Sequence, residues 1–154
     1  IRYLISYKYS KYNISKKVVN YIEGKKKSNY LSLEKEENFR KLALNSRSSL
    51  RNYIAELNSL NKKVACVTAP AKGNTILNFC GLSNYDIPFT TEANLLKIGR
   101  FTPQTNIPIF SDEYLKEAHP DILIVLAWNF FNTIKKSVSN YSPNSNFINP
   151  IEIK

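Results

Sequence analysis

The 154-residue sequence has no methionine, one histidine and two cysteines, Cys66 and Cys80. Two cysteines are too few for a disulfide framework. Together with His119 they cannot complete a four-ligand zinc site, so no metal site is predicted. We expect both cysteines to be reduced core residues, which favours a cytoplasmic protein. Every apolar run is shorter than the roughly 18 residues of a transmembrane helix, so no membrane partner is predicted.

An initiator methionine and the long apolar segment of a signal peptide are also missing. We therefore expect the chain to begin inside a longer protein. Neither a second histidine nor a paired carboxylate in a loop is present to form a nucleophile–base couple. No catalytic residue is predicted. His119, next to Pro120, is expected on the sheet edge opposite the ligand-binding side.

The net charge of +10 comes from 22 basic and 12 acidic residues. An excess of this size suits an anionic partner such as nucleic acid, phosphate or a membrane surface. A solvated surface is the alternative for the lysine runs at 16–17 and 25–27. The tyrosines do not alternate with basic residues on one face, which makes nucleic acid an unlikely partner. The hydrophobic content of 43% excludes a fully disordered chain.

The first 60 residues predict one strand and two helices. Residues 1–12 alternate as in a strand, and residues 13–23 have helical spacing that Gly24 is expected to end, with a lysine-rich loop after it. Residues 32–60 predict the clearest helix, capped by Ser32. Its apolar stripe, expected to pack in a core, consists of Phe39, Leu42, Leu50, Tyr53, Ile54, Leu57 and Leu60.

From residue 62 onward, short apolar segments alternate with helical ones. Near-continuous apolar strands indicate burial on both faces by helices. The prediction is an α/β fold, a Rossmann-like open and mainly parallel sheet with flanking helices, preceded by a helical connector. Strands are predicted at 64–67, 87–91, 121–127 and 147–153, a brief extended piece at 107–109, and helices at 76–80, 111–119 and 129–138.

The turn after the first of these strands, residues 69–75, is the first candidate site. Ligands of such sheets bind at the carboxyl ends of the strands. Gly73 is expected to let a ligand approach the backbone, and Lys72 adds a charge beside the free N–H groups of a helix start. Asn74 and Thr75 can supply hydrogen bonds. An ordinary tight turn is the alternative, because the segment is neither a Walker A motif nor a dinucleotide fingerprint.

Three further positions can contact a ligand. Arg100 can present a planar fork to a phosphate. Trp128 and Asn129 follow the 121–127 strand at the mouth of the expected crevice. Glu92 ends a strand at a place where dinucleotide folds hold a ribose hydroxyl. An exposed loop arginine, and packing with helix capping by Trp128 and Asn129, are the alternatives.

The segment Ala-Pro-Ala-Lys-Gly-Asn-Thr at 69–75 resembles the opening of the C-terminal domain of SAM-dependent sugar C-methyltransferases, which act on nucleotide-linked deoxysugars. The resemblance continues at 99–101, 126–129 and 150–153, and it includes Asn78 and Thr105. The substrate-binding residues expected from both lines of reasoning are Lys72, Gly73, Asn74, Thr75, Asn78, Glu92, Arg100, Thr105, Trp128 and Asn129.

This resemblance implies three parts. Residues 1–12 would be the last strand of a preceding SAM-binding domain, residues 13–61 a helical connector, and residues 62–154 a domain that helps hold a nucleotide-linked sugar. SAM is then the cofactor of the full-length enzyme, with no cofactor in this fragment. The partners implied are the nucleotide-linked sugar and the upstream SAM-binding domain.

The reaction implied is methylation of a sugar carbon beside a keto group. A base removes a proton, and the enolate attacks the methyl group of SAM. The family's base lies upstream, so this fragment alone is expected to be inactive. A second hypothesis remains, in which the chain is a basic, non-enzymatic binding module for nucleic acid or a protein partner on a Rossmann-like fold.

Several residues depart from the pattern of the resembled family. Cys66 and Thr68 stand where the family usually has glycines, Glu92 where it has aspartate, Gln104 where glycine is common, and Ala127 where proline is common. These departures bear more on sugar specificity than on nucleotide binding.

Overall fold

The computed structural model describes residues 5, 7–28 and 32–153. The chain forms two compact units, Ile1–Leu42 and Ala43–Lys154. The strand predicted for residues 1–12 lies in part outside the described residues. Residues 7–12 contain a turn instead, in which the Ser10 N–H donates to the Tyr7 carbonyl at 2.9 Å. The assignment of this segment to a preceding domain stays a prediction.

Helix α1, Lys16–Lys27, begins and ends later than the predicted 13–23. Gly24 does not end it, and the three lysines at 25–27 are helical rather than in a loop. A glycine inside a helix costs only about 1 kcal/mol. The lysines lie in the last turn, where the negative end of the helix dipole favours cations. None of the residues of α1 is buried.

Helix α2, Leu33–Ser59, confirms the predicted long helix. The Ser32 hydroxyl accepts a hydrogen bond from the Lys35 N–H at 3.4 Å, as expected of a capping residue. The predicted apolar stripe is buried only in the second half of the helix. Phe39 and Leu42 are exposed, whereas the buried members of the stripe are Leu50, Ile54 and Leu57.

The sheet confirms the predicted α/β fold. Its five strands lie in the order β3-β2-β1-β4-β5, and all neighbouring strands are parallel. Three strands are shorter than the predicted segments 87–91, 121–127 and 147–153, and in the first and last of these Pro88 and Pro150 lack the N–H that a ladder needs. The strands are β1 Val64–Val67, β2 Thr90–Thr91, β3 Ile109–Phe110, β4 Ile122–Val125 and β5 Asn146–Ile148.

Helices cover both faces of the sheet. Alternate residues of β1 point into two cores, with Val64 and Cys66 in one and Ala65 and Val67 in the other. The first core includes α2 and α3, and the second includes α4 and α5. The remaining helices are α3 Ala71–Cys80, a 3-10 turn Asp112–Tyr114 leading into α4 Leu115–Ala118, and a 3-10 turn Trp128–Phe130 leading into α5 Phe131–Val138.

Helix α3 begins at Ala71, five residues earlier than predicted, so most of the expected turn is its first turn. Gly73 lies inside this turn, against the residue that follows β4. A Cβ atom added to Gly73 would lie 2.7 Å from the Cβ of Leu126 and 3.1 Å from the Pro70 ring. The glycine therefore permits close packing of α3 on the sheet, and the structure gives it this role in place of the predicted access for a ligand.

The Gly73→Ala variant is expected to lose about 1–3 kcal/mol of unfolding free energy, because the added methyl group overpacks the contact with Leu126. The matched control is Gly24→Ala, where no heavy atom lies within 4 Å of the added Cβ. That change should not lower stability and should raise helix content slightly. Urea denaturation followed by circular dichroism measures both. A Gly73→Ala protein as stable as the wild type would contradict the packing role.

Candidate functional site

The order of the strands defines a crevice at one edge of the sheet. The chain leaves β1 through α3 on one face and leaves β4 through α5 on the other. Neighbouring parallel strands with connections on opposite faces open a crevice at their carboxyl ends, where ligands of α/β proteins bind. Two segments lie there, residues 68–72 after β1 and residues 126–130 after β4.

Three of the predicted site residues meet across this crevice. The Lys72 ammonium donates a hydrogen bond to Oδ1 of Asn129. Its Nζ lies 4.9 Å from the centroid of the Trp128 ring and 5.8 Å from that of Phe130. Phe130, which the sequence reasoning missed, is exposed. The signal available was its place directly after Trp128 and Asn129. We call Lys72, Trp128, Asn129 and Phe130 the crevice cluster.

A cavity of about 340 Å³ lies beside the first turn of α3. Asn74 and Arg100 line it, as does Lys97, which was not among the predicted site residues. Arg100 is exposed, and within the described part of the chain its guanidinium has no hydrogen-bond or ion-pair partner. The volume falls within the range of small-molecule pockets. The apolar part of the wall comes from Pro70, Phe101, Pro103, Ile109 and Leu126.

The structure does not bring Lys72 and Arg100 to the same place. Lys72 contacts the segment that follows β4. Arg100 belongs to the segment that follows β2 and lines the cavity. Both residues lie in segments that follow a strand, Lys72 after β1 and Arg100 after β2. This arrangement does not favour the binding of one phosphate by both cations.

Glu92 is engaged by neighbouring groups and is not open to a ribose hydroxyl. Its carboxylate accepts hydrogen bonds from the Ala69 N–H at 3.0 Å, the Ala93 N–H at 3.1 Å and the Lys97 ammonium at 2.9 Å. Only 12% of its side chain is exposed. Lys97 also donates to the Ala69 carbonyl at 3.0 Å. Glu92 and Lys97 therefore fix the loop after β1 to the loop after β2.

These contacts determine the ionisation of Glu92. Burial acts to raise the pKa of its carboxyl group, but hydrogen bonds from Lys97, Ala69 and Asn94 outweigh burial and hold the pKa below the ordinary value of 4.5. A carboxyl group with a lowered folded-state pKa stabilises the fold above its unfolded pKa. That stabilisation is lost as the pH falls through the folded-state pKa.

The Glu92→Gln variant is expected to lose about 1–3 kcal/mol of stability at pH 7, because charged hydrogen bonds are replaced by weaker ones. Below about pH 4.5 the difference between the two proteins should shrink, as Glu92 becomes protonated in the wild type. Urea denaturation between about pH 3 and pH 7 measures this. The matched control is Glu117→Gln on the exposed surface of α4. A pH-independent difference would contradict the role of the Glu92 charge.

Three other predicted residues make contacts within the framework of the site. Nδ2 of Asn78 donates to the Asn74 carbonyl at 2.8 Å and to the Pro103 carbonyl at 3.3 Å. The Thr75 hydroxyl donates to the Ala71 carbonyl at 3.2 Å. Thr105 is buried, and its hydroxyl lies 2.5 Å from that of Thr102. Their contact with a substrate stays a prediction.

Two of the departures from the family pattern have left-handed backbone. Thr68 has a φ of 69°, and Gln104 has a φ of 66°. Glycine adopts this region without strain, whereas a β-branched residue such as threonine rarely does. This backbone conformation explains why glycine suits both positions in the resembled family. At position 68 the contacts of the threonine must explain how a β-branched residue keeps this conformation.

Both cysteines are buried and unpaired, as predicted. Burial raises the pKa of the Cys66 thiol and that of Cys80, where the charges of Arg47 and Arg51 partly oppose it. Thiols in such surroundings are unreactive. In the described ranges there is no group of three His, Cys, Asp or Glu residues able to hold a metal ion, and no helix long and apolar enough to cross a membrane.

Comparison with known proteins relates this chain to C-methyltransferases. The sequence pattern of a family described as the C-methyltransferase C-terminal domain matches residues 1–151. The C-methyltransferase NovU of Streptomyces niveus is 34% identical over 106 residues, which make up 68% of this chain and 25% of the relative. The matched region is therefore a quarter of the length of that relative.

Proposed function

Because this chain belongs to the C-methyltransferase C-terminal domain family, as its sequence predicted, we propose that it is the substrate-side domain of a SAM-dependent sugar C-methyltransferase. In this proposal it holds a nucleotide-linked sugar at the carboxyl edge of the sheet. The remainder of a longer protein supplies the methyl donor and the base. The observation that carries the proposal is the meeting of Lys72, Trp128 and Asn129 in the crevice, next to the cavity lined by Arg100.

The chemistry of this edge suits a ligand with anionic and ring-shaped parts. The first turn of α3 follows Pro70, which provides no side-chain cap, so its amides and the helix dipole favour an anion. Lys72 and Arg100 add full charges at different places. We propose that each meets a different group of the ligand. The half-buried ring of Trp128 and the exposed ring of Phe130 offer flat apolar surfaces to a base or sugar ring.

The residues of this chain do not fit SAM. A SAM or dinucleotide site of the Rossmann type uses a glycine-rich turn after the first strand and a free acid after the second. Here the first glycine after β1 is Gly73, which packs against Leu126, and Glu92 is held by Ala69 and Lys97. These contacts support a methyl-donor site outside this chain, and the upstream SAM-binding domain is the partner that we propose.

The basic helix α1 supports the same partner. Within the first unit it leaves the apolar side chains of Val18, Val19 and Ile22 exposed, between lysines at both ends. Apolar side chains grouped on one exposed helix face are typical of an interaction surface. We propose that this surface contacts the SAM-binding domain of the longer protein. The two reduced cysteines agree with a cytoplasmic location, which is part of the proposal.

Titration of the ¹⁵N-labelled chain with a uridine or thymidine diphosphate sugar, up to millimolar concentration, tests the proposal. We expect the amide signals of residues 72–75 to shift. The fluorescence of Trp128, the single tryptophan of the chain, should change as the ring contacts the ligand. No change in either signal would contradict substrate binding by this domain.

The same titration with a DNA duplex distinguishes the proposed function from the second hypothesis, in which the chain is a basic, non-enzymatic binding module. A basic binding module would bind the duplex with affinity that falls steeply with salt concentration. It would show no preference for the diphosphate sugar. This result would replace the proposed function with a non-enzymatic one.

A further inference from the structure

Thr68 connects the two segments that line the crevice. Its hydroxyl Oγ1 accepts a hydrogen bond from the Ala127 N–H, which lies beyond β4, at 3.1 Å. On the side of β2, its own N–H donates to the Thr91 carbonyl at 2.7 Å, and its carbonyl accepts from the Thr90 hydroxyl at 3.0 Å. The residue that follows β1 is therefore hydrogen-bonded both to β2 and to the segment that follows β4.

The backbone of Thr68 is strained, and the strain has to be held by its contacts. Its φ of 69° lies in the left-handed region, which a β-branched side chain adopts only when surrounding interactions hold it there. Glycine would satisfy the backbone at this position without strain. What glycine cannot provide is the hydroxyl that accepts from Ala127. The side-chain bond is thus the specific contribution of threonine.

We propose that Thr68 is a positioning residue for ligand binding, whose hydroxyl fixes Ala127 and thereby the crevice cluster. Ala127 directly precedes the turn Trp128–Phe130, so its position sets where Trp128 and Asn129 stand relative to Lys72. The effect on affinity rests on the function proposed above. The effect on the position of Trp128 does not, and it can be measured without a ligand.

A double-mutant cycle tests the bond. Thr68→Gly removes the acceptor and the strain, and Ala127→Pro removes the donor. Each single variant is expected to weaken binding of the diphosphate sugar about 5- to 30-fold and to shift the emission of Trp128. The double variant should lose no more than the worse single variant, because both changes remove the same bond. Full additivity of the two losses, or unchanged emission, would overturn the proposal.

Two milder variants keep the test open if the glycine or proline protein fails to fold. Thr68→Val keeps the shape, the branching and the backbone strain but lacks the hydroxyl, so it should weaken binding and shift the emission at least as much as Thr68→Gly does. Thr68→Ser keeps the hydroxyl and should retain the wild-type emission and affinity to within about twofold. Thr133→Val, at an exposed position of α5, is the matched control. A Thr68→Val protein indistinguishable from the wild type would overturn the positioning role.

The two proposals fail in different ways. If the wild type binds no diphosphate sugar, the proposed function is contradicted, while the emission of Trp128 in the valine and serine variants still decides the positioning role. If the wild type binds and all Thr68 variants bind equally well with unchanged emission, only the positioning role is contradicted.

Discussion

Replacing Leu50 by alanine is expected to lower the free energy of unfolding by about 2–5 kcal/mol. Leu50 lies on α2 with 1% of its surface exposed and belongs to the core that joins α2 and α3 to the sheet. The same replacement at Leu42, two turns earlier on the helix and 69% exposed, should change stability by no more than about 0.5 kcal/mol. The two changes remove the same atoms, so the difference between them measures burial.

Urea denaturation of the two variants and the wild type provides the measurement. Equal losses from both variants would show that the two halves of α2 are packed alike, contrary to the structure. No loss from Leu50→Ala would show that α2 is not part of the core of the second unit. A large loss at Leu50 alone means that the last turns of the predicted connector are needed for the stability of the sheet.

The second large effect concerns ligand binding. Changing Lys72 and Arg100 together to methionine is expected to weaken binding of a diphosphate sugar by about 2–4 kcal/mol, or roughly 30- to 1000-fold. Each cation is proposed to contact a different group of the ligand. The two single losses should therefore add to the double loss.

Isothermal titration calorimetry on the two single variants and the double variant measures the losses. Lys136→Met, on the exposed surface of α5, is the matched control for loss of one positive charge. It should leave the affinity unchanged apart from a small general effect of charge. A loss in the control as large as that in the Lys72 variant would mean that net charge, rather than a built site, attracts the ligand.

The parts of the fold that follow from hydrophobic pattern were predicted well. The four apolar residues at 64–67 became the central strand β1, the apolar centre of 121–127 became its neighbour β4, and the long helical stripe became α2. The wrong predictions concern helix ends, where the local signals for a helix and for a turn occur in the same segment. Gly24 was expected to end a helix that continues, and α3 begins at Ala71 inside a segment with the composition of a turn.

The candidate site was predicted in outline because the carboxyl ends of parallel strands meet at one edge. That rule assigned Lys72, Trp128 and Asn129 to one edge of the sheet, but the contacts of Lys72 with Trp128 and Asn129 were not predicted. The engagement of Glu92 by Lys97 could not be predicted, since it depends on how residues 93–99 fold back on the loop after β1. The hydrogen bond between Thr68 and Ala127 could not be predicted either, because the two residues are far apart in sequence.

The two outer strands of the sheet are very short. β3 has two residues and β5 has three, so each edge offers few unpaired N–H and C=O groups to another extended chain. Short edges of this kind resist the sheet-to-sheet joining that leads to fibrils. Self-association by strand addition is therefore disfavoured even when the chain is concentrated. A protein that contacts the edges of this sheet therefore meets mainly side chains there, which makes such a contact sensitive to single substitutions.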